Sequence, residues 1–528
     1  MSSRRPDRPD TAQDSVLAFL MDPSTHGGTA VVRIDTHAAV VVLAGARAYK
    51  IKRAVRFPFL DFSTLDRRRA ACEAEIVANR PFAPELYRGV VAITREADGR
   101  LAFGGTGEPV EWAVVMERFD ETRTLDRVAD RDGIGLDLAD TLGRVVAAAH
   151  ARAPVVDAAP WVAALGDYVA QNAAAFAERP ELFDAAAAER LTRAAAAALH
   201  RLTPLLAARG AAGLVRRGHG DLHLGNIALI DDRPVPFDAL EFDPLVASGD
   251  VLYDLAFLLM DLWERGLCAA AHAVLDRWLA ETGRVEDLDA LAALPLFLSL
   301  RAAIRAKVTA AKPAPAGGAA ARDAAARTYF ALACALIAPP PPMLVAVGGL
   351  SGTGKSVLAR ALAPDLLPAP GAVVLRSDVL RKALAGVGET TRLPADTYTP
   401  AVTARVYAEL VARAGRALAA GHGVVADAVF ATRAERDAIA AAAREAGVPF
   451  RGLFLVADLA TRLARVDGRR ADASDADAAV AHRQDSYDLG RLDWPVVDAG
   501  GTSAETRARA AALLPATRDA AVPAVPSL

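Results

Sequence analysis

Gly349-Leu350-Ser351-Gly352-Thr353-Gly354-Lys355-Ser356 matches the pattern G-x-x-x-x-G-K-[ST] at every fixed position. These residue types at this spacing cradle a polyphosphate. Glycines let successive backbone N–H groups turn inward at a helix N-terminus, Lys355 reaches the terminal phosphates, and the Ser356 hydroxyl can ligate Mg²⁺. Gly349, Ser351, Gly352, Thr353, Gly354, Lys355 and Ser356 are therefore assigned to nucleotide contact. The flanks agree: Met343–Val347 is an apolar run of buried-strand length, and Val357–Leu362 is a good helix start.

His219-Gly220-Asp221-Leu222-His223-Leu224-Gly225-Asn226 is a second chemical set, far from the first in sequence. Asp221 and Asn226 have the D-x-x-x-x-N spacing of a phosphoryl-transfer loop, in which the aspartate receives the acceptor hydroxyl's proton and the asparagine ligates a metal. Asp238 follows a short strand and a turn, where a second metal ligand belongs. Upstream, the strand Ala48–Lys52 carries Lys50 and Lys52 on one face and Tyr49 and Ile51 on the other. A lysine of this kind holds ATP's α- and β-phosphates when a helix glutamate pairs with it, and the helix Leu65–Arg80 supplies Glu73 and Glu75. Only one of those two carboxylates can face the sheet. Lys50 with Glu75 is the preferred pair, and Lys52 is the alternate.

Around the phosphate loop, acidic residues stand at the ends of apolar runs: Asp378, Asp427 and Asp458. Ligands of open α/β sheets bind at the carboxyl ends of the strands. Asp378 is expected to take the acceptor's proton, and Arg381, three residues on, to hold an anionic acceptor. Asp427 is expected to hold Mg²⁺ through water or to orient the acceptor, while Asp458 caps the helix that follows it. That helix ends in Arg462, Arg465, Arg469 and Arg470. Arginines on a flap above a phosphate loop neutralise charge as the phosphoryl group moves, with Arg469 and Arg465 competing for the role.

These groups need elements to position them. Residues 1–14 are expected to be disordered, with a helix from Ser15 and then the strands Val31–Thr36, Ala39–Leu43 and Ala48–Lys52. Ala/Leu-rich helices fill Leu136–Gly210. Pro339–Pro342 breaks the last helix of this region and is read as a stiff linker. Five apolar runs follow it, Met343–Val347, Ala372–Leu375, Val424–Ala426, Leu453–Val456 and Val496–Val497, which suit a mostly parallel sheet buried on both faces. The expected domains are 15–338 and 343–514, with residues 515–528 a disordered tail.

Composition narrows the class of function. With 61 basic and 64 acidic side chains the formal charge is −3, so no global nucleic-acid or anionic-membrane signature exists. The three cysteines, Cys72, Cys268 and Cys334, include no C-x-x-C pair, which argues against a disulfide framework or zinc site and for a reducing cytosol. No signal-peptide region follows Met1, and the most lipophilic stretch, Leu255–Leu262, is cut by Asp261 and preceded by Asp254. A cytoplasmic protein acting on small molecules, without membrane or nucleic acid, is the expectation. Protein partners stay open.

His219-Gly220-Asp221-x-His223-x-x-Asn226, Phe237-Asp238 and Asp250-x-x-x-Asp254 resemble the aminoglycoside/choline-type phosphotransferases, over roughly residues 30–335. The resemblance implies a two-lobed, kinase-like α+β module in which Asp221 is the general base, Asn226 and Asp238 hold Mg²⁺, and His219 and Asp254 support the loop. No G-x-G-x-x-G lies between the first strands, so the turn Thr36-His37-Ala38 would cover the phosphates. Residues 343–510 resemble small α/β P-loop kinases such as polynucleotide kinase, gluconate kinase and zeta-toxin relatives. Together, with Tyr49-Lys50 and Asp61–Leu65, they resemble bacterial bifunctional aminoglycoside phosphotransferase/ATP-binding proteins. That likeness implies two ATP- and Mg²⁺-dependent sites transferring a phosphoryl group to small hydroxylated acceptors. Two rivals stand beside it: a nucleotide-binding regulator with a first module that only binds nucleotide, and a nucleic-acid or nucleotide end-kinase in the second.

Overall fold

A computed structural model of the chain describes residues 11–57, 60–313, 317–468 and 472–515. Its contacts gather into two compact units, Met1–Ala164 with Leu206–Leu258, and Leu165–Leu205 with Leu259–Leu528. Pro339–Pro342 therefore lies inside the second unit, and the division does not fall at the proline segment. The physical reason is visible along the edge of the second unit's sheet. The helix Cys268–Thr282 docks there, with Asp276 accepting the Val374 N–H at 3.3 Å and His272 Nε2 bonding the Ala372 carbonyl at 2.8 Å. An edge strand left bare would expose unpaired backbone groups.

In the first unit six strands pair antiparallel in the order Val31–Asp35, Ala39–Ala44, Arg47–Lys52, Glu108–Glu117, Tyr87–Arg95, Leu101–Phe103. The period of two sorts their side chains. Val40, Val42, Ile51, Ile93 and Ala113 form one buried face with Val16 and Leu20 of the helix Thr11–Met21, and Lys50 and Lys52 point to the other. Burying each such aliphatic side chain contributes roughly 1.5–3 kcal/mol. That first helix begins at Thr11 rather than Ser15. Gln13 ties it down, donating to the Lys52 carbonyl at 2.8 Å and to Glu111 at 2.7 Å, and accepting the Ala54 N–H at 2.9 Å. The remainder of the expected disordered ends, residues 1–10 and 516–528, lies outside the described residues.

On the lysine face lies the helix Leu65–Asn79, capped by Thr64, whose side chain accepts the Arg67 N–H. Its Glu75 is buried, whereas Glu73 is exposed and pairs with Arg69. Further along, the hairpin Ile227–Ile230 with Arg233–Pro236 turns at Asp231 and Asp232, at φ 49° and 60°. Two successive positive φ angles match the right-handed twist of the flanking strands.

The second unit holds a five-stranded sheet in the order Val373–Arg376, Val424–Asp427, Leu344–Gly349, Phe450–Val456, Val496–Asp498, every neighbouring pair parallel. Leu344–Gly349 is its central strand and is buried at every residue, as its unbroken apolar run requires. Helices such as Lys355–Leu362 and Arg433–Glu445 complete the layers. The chain is thus a two-lobed, kinase-like α+β module followed by an α/β P-loop module.

Candidate active sites

In the first unit a cavity of about 450 Å³ lies against the lysine face of the sheet. Thr36 and Ala38 of the expected covering turn line it, with Val41, Met116 and Phe119 supplying apolar wall and Lys50, Asp221 and Asp238 its charge. Lys50 Nζ stands 2.9 Å from Glu75 Oε1 and 2.6 Å from Asp238 Oδ1. Lys52 Nζ shares the same glutamate, 2.5 Å from Oε2, and also pairs with Glu241. The two lysines are therefore partners in one network rather than alternatives. Lys50 alone reaches the expected metal ligand, while Lys52 is almost fully buried. Burial by itself would depress the Lys50 ammonium, but the Asp238, Glu75 and Glu241 carboxylates outweigh it and hold its pKa well above the ordinary value. Burial likewise opposes the Glu75 charge, and the two lysines overcome it, keeping Glu75 well below the carboxylate range.

The loop bearing Asp221 hangs from Asp254, whose carboxylate accepts the His219 N–H at 2.9 Å and the Gly220 N–H at 2.8 Å. Gly220 has φ +78°, and a Cβ there would stand 3.0 Å from Leu240. His150, a residue the motif did not point to, adds its Nε2 at 3.2 Å from Asp254 Oδ2. His219 Nε2 faces the Phe237 carbonyl at 2.9 Å and so carries the proton, and burial pushes this imidazole below its ordinary pKa. Asn226 Nδ2 donates to Asp221 Oδ2 at 3.0 Å, and His223 Nε2 lies 3.5 Å from the same oxygen. Asp238 sits at φ 61°, a left-handed conformation costing roughly 1–2 kcal/mol for a residue with a side chain, held by the Tyr87 hydroxyl on its N–H at 3.0 Å.

In the second unit a cavity of about 540 Å³ is lined by Gly352, Thr353, Gly354, Lys355 and Ser356, with Asp378, Arg465 and Asp472 opposite. Gly349 and Ser351 stand outside this lining and shape the loop from behind. The Gly349 N–H donates to the Val429 carbonyl at 3.1 Å, and the Ser351 N–H to Gln484 Oε1 at 2.7 Å. Gly352, at φ +87°, admits no side chain, since a Cβ would come within 2.5 Å of the Arg462 carbonyl. Arg462 is buried under the loop, donating to the Ser351 carbonyl at 3.0 Å and to Asp485 at 2.9 Å. Its place in a basic run on a flap is thereby corrected: the helical turn directs it inward while Arg465 faces the cavity.

Ser356 Oγ donates to Asp427 Oδ2 at 2.5 Å, joining the two expected metal ligands. Arg376, unremarked in the sequence, bonds both, with Nε 3.3 Å from Asp427 and Nη2 3.2 Å from Ser356. Asp378 lies in the first turn of the helix Ser377–Leu384 and does not cap it. Burial raises its carboxyl above the ordinary value, Lys355 opposes that and Asp427 adds to it. Arg381 does not line the cavity. It donates to the Thr397 carbonyl at 2.9 Å and Thr403 Oγ1 at 3.2 Å beneath the Tyr398 ring, and so ties down the segment 397–403. Arg465 holds the Ala499 and Gly501 carbonyls at 2.8 and 2.7 Å, bonds it must release to reach a phosphate. Arg469 lies outside the described residues. Asp458 caps the helix Leu459–Asp467 as expected.

Among the described residues no group of three or more His, Cys, Asp or Glu side chains could hold a metal by itself. Ser356 with Asp427 fits Mg²⁺, which keeps waters and takes one or two protein oxygens plus substrate phosphates. In the first unit the Asn226 backbone carbonyl accepts the Phe237 N–H at 2.9 Å, which brings the backbone of Asp238 next to that of Asn226. Among the described residues no helix is long and apolar enough to cross a membrane.

The fold and both sites define a kinase-like module joined to a P-loop module. A family model described as AAA domain matches residues 344–487. The uncharacterized proteins Rv2004c of Mycobacterium tuberculosis and Mb2027c of Mycobacterium bovis are each 31% identical over 475 residues, covering 87% of this chain and 91% of theirs. The chain belongs to the family of these mycobacterial proteins. Among solved structures, a choline kinase from Cryptosporidium parvum Iowa II is 10% identical and covers 61% of this chain and 93% of its own, with a TM-score of 0.38. A gluconokinase from Sinorhizobium meliloti 1021 is 24% identical and covers 33% and 90%, with a TM-score of 0.24.

Proposed function

We propose that the protein is an ATP- and Mg²⁺-dependent phosphotransferase of the cytoplasm with two ATP sites, each passing the γ-phosphoryl group to a small hydroxylated acceptor. The observation that carries this reading is common to both units: a cavity lined by a lysine and by a carboxylate able to take a proton, beside side chains that could hold Mg²⁺. Phosphoryl transfer asks little covalent chemistry of a protein, so positioning and charge neutralisation suffice. In the first site Lys50 orients the phosphates, Asn226 and Asp238 would hold Mg²⁺, and Asp221 accepts the hydroxyl proton. In the second, the loop 352–356 wraps the phosphates, Ser356 and Asp427 would hold Mg²⁺, and Asp378 is the base. Bound Mg²⁺ supplies charge neutralisation between the phosphate oxygens.

The test is ADP release by wild type, Asp221→Asn and Lys355→Ala against sugars, amino alcohols, aminoglycosides and nucleosides with Mg²⁺ present. An acceptor that raises turnover in a manner lost in one variant and kept in the other supports the reading for that unit. A slow, acceptor-independent ATPase lost only in Lys355→Ala would count for the regulator instead.

A further inference from the structure

The edge strand Val373–Arg376 borders another cavity, of about 90 Å³, whose wall contains Arg277, Arg284, Arg360, Arg376 and Arg413. Two of these arginines are matched by neighbours, Arg284 with Asp287 at 2.9 Å and Arg413 with Glu409 at 2.6 Å. The other three converge on one carboxylate, Glu389: Arg277 Nη1 at 3.0 Å, Arg376 Nη1 at 3.6 Å and Arg360 Nη2 at 4.0 Å. Only the first is a hydrogen bond. Arg376 is 5% exposed, and its Nη1 has no hydrogen-bond partner, an expensive omission for a buried charged group. Other acids face the cluster: Glu281 lies 3.6 Å from Arg277, Asp276 is spent on the Val374 N–H, and Asp427 and Asp472 hold the far edge of Arg376. As placed, the Glu389 carboxylate hydrogen-bonds only Arg277 and holds Arg376 and Arg360 at longer ion-pair distances. A tetrahedral dianion offers each of the three guanidinium groups an oxygen.

We propose that this cavity is an effector site for a phosphate group, whose binding displaces Glu389 from between Arg277, Arg360 and Arg376. The site is wired to the phosphate loop and to the segment Glu389–Tyr398. Arg376 grips Ser356 and Asp427 with its remaining nitrogens. Glu389 opens the segment that runs to Tyr398, along which the Leu393 N–H and the Tyr398 hydroxyl bond Asp475 at 3.0 and 2.6 Å. Releasing Glu389 frees the start of that segment, and recruiting Arg376 Nη1 reorients the guanidinium beside the metal ligands. Free phosphate and the phosphoryl group of a small ester share the chemistry required.

The test uses the full chain saturated with a non-hydrolysable ATP analogue and Mg²⁺, so that both nucleotide sites are filled. Inorganic phosphate and glycerol 3-phosphate are titrated separately against chloride at matched ionic strength, and the melting temperature is followed. A saturable rise is expected, with half-saturation about tenfold lower in Glu389→Gln and about tenfold higher in Arg360→Ala. Arg360, with its side chain 49% exposed, can be truncated without disturbing the core. The tighter of the two anions identifies the natural source. Absence of a saturable rise beyond chloride in wild type and Glu389→Gln overturns the proposal, as does a rise unchanged by Arg360→Ala.

Discussion

The two candidate sites have opposite constructions. The second builds its phosphate cradle from one contiguous loop, whose backbone is bent by glycines and propped from beneath by Arg462 and Gln484. The first builds its cradle from side chains far apart in sequence, with Glu75 joined to Lys50 and Lys52, and these to Asp238 and Glu241. A backbone cradle survives as long as its loop folds. A side-chain cradle is a buried charge network, in which removing one member strands the others. The difference teaches where each site is fragile.

The largest effect expected is on turnover. Asp221→Asn should lower the first site's kcat by roughly 10²–10⁴ and leave ATP binding and the second site unchanged, whereas Lys355→Ala should do the reverse. Counting bound ATP analogue by calorimetry, alongside ADP release, separates the two. If both variants silence both sites, the sites are not independent and the comparison fails.

Next comes stability. Glu75→Gln leaves two buried lysines sharing what remains of their partners, and should cost the first unit roughly 3 kcal/mol in a urea titration. Arg462→Ala removes charged hydrogen bonds to the Ser351 carbonyl and Asp485 and should cost less, about 2 kcal/mol, while weakening nucleotide binding at the second site alone. Equal losses would mean that the second site also depends on a buried charge network.

The smallest effect has the opposite sign. Asp378 has a folded pKa above the ordinary aspartate value of 3.8. The folded chain therefore keeps a proton that the unfolded chain has released, so this group's contribution is full below pH 3.8 and is lost as pH rises through the folded value. At neutral pH its charge weakens the fold, and Asp378→Asn should raise stability by about 1 kcal/mol while abolishing transfer at the second site. In wild type, transfer there should fall on acidification at a higher pH than an ordinary aspartate would give. A melting temperature lowered at pH 7, or a pH profile flat down to pH 4, would remove Asp378 from the role of base.

Where a candidate site lies in a contiguous stretch, its pattern was legible in advance. The loop 349–356, the Asp221/Asn226 spacing and the five parallel strands could be read because phosphate loops, catalytic loops and buried strands each impose a local pattern of residue types. The alternation that puts Lys50 and Lys52 on one face of their strand is equally local. Yet it could not say which lysine meets Glu75, and in the folded chain both do.

Only tertiary structure placed Arg376 on Ser356 and Asp427, His150 on Asp254, Glu241 on Lys52 and Gln484 under the phosphate loop. Each is a polar residue whose partner lies 20 or more positions away, so no periodicity or spacing records the pair. The same holds for direction. Arg462 and Arg465 stand three apart on one helix, and only the packing of that helix turned the first beneath the loop and the second towards the cavity. The sequence by itself determined which local cradles could form. Long-range packing decided which charges they enclose, because burying a charge requires a partner that the fold, not the neighbouring residues, must supply.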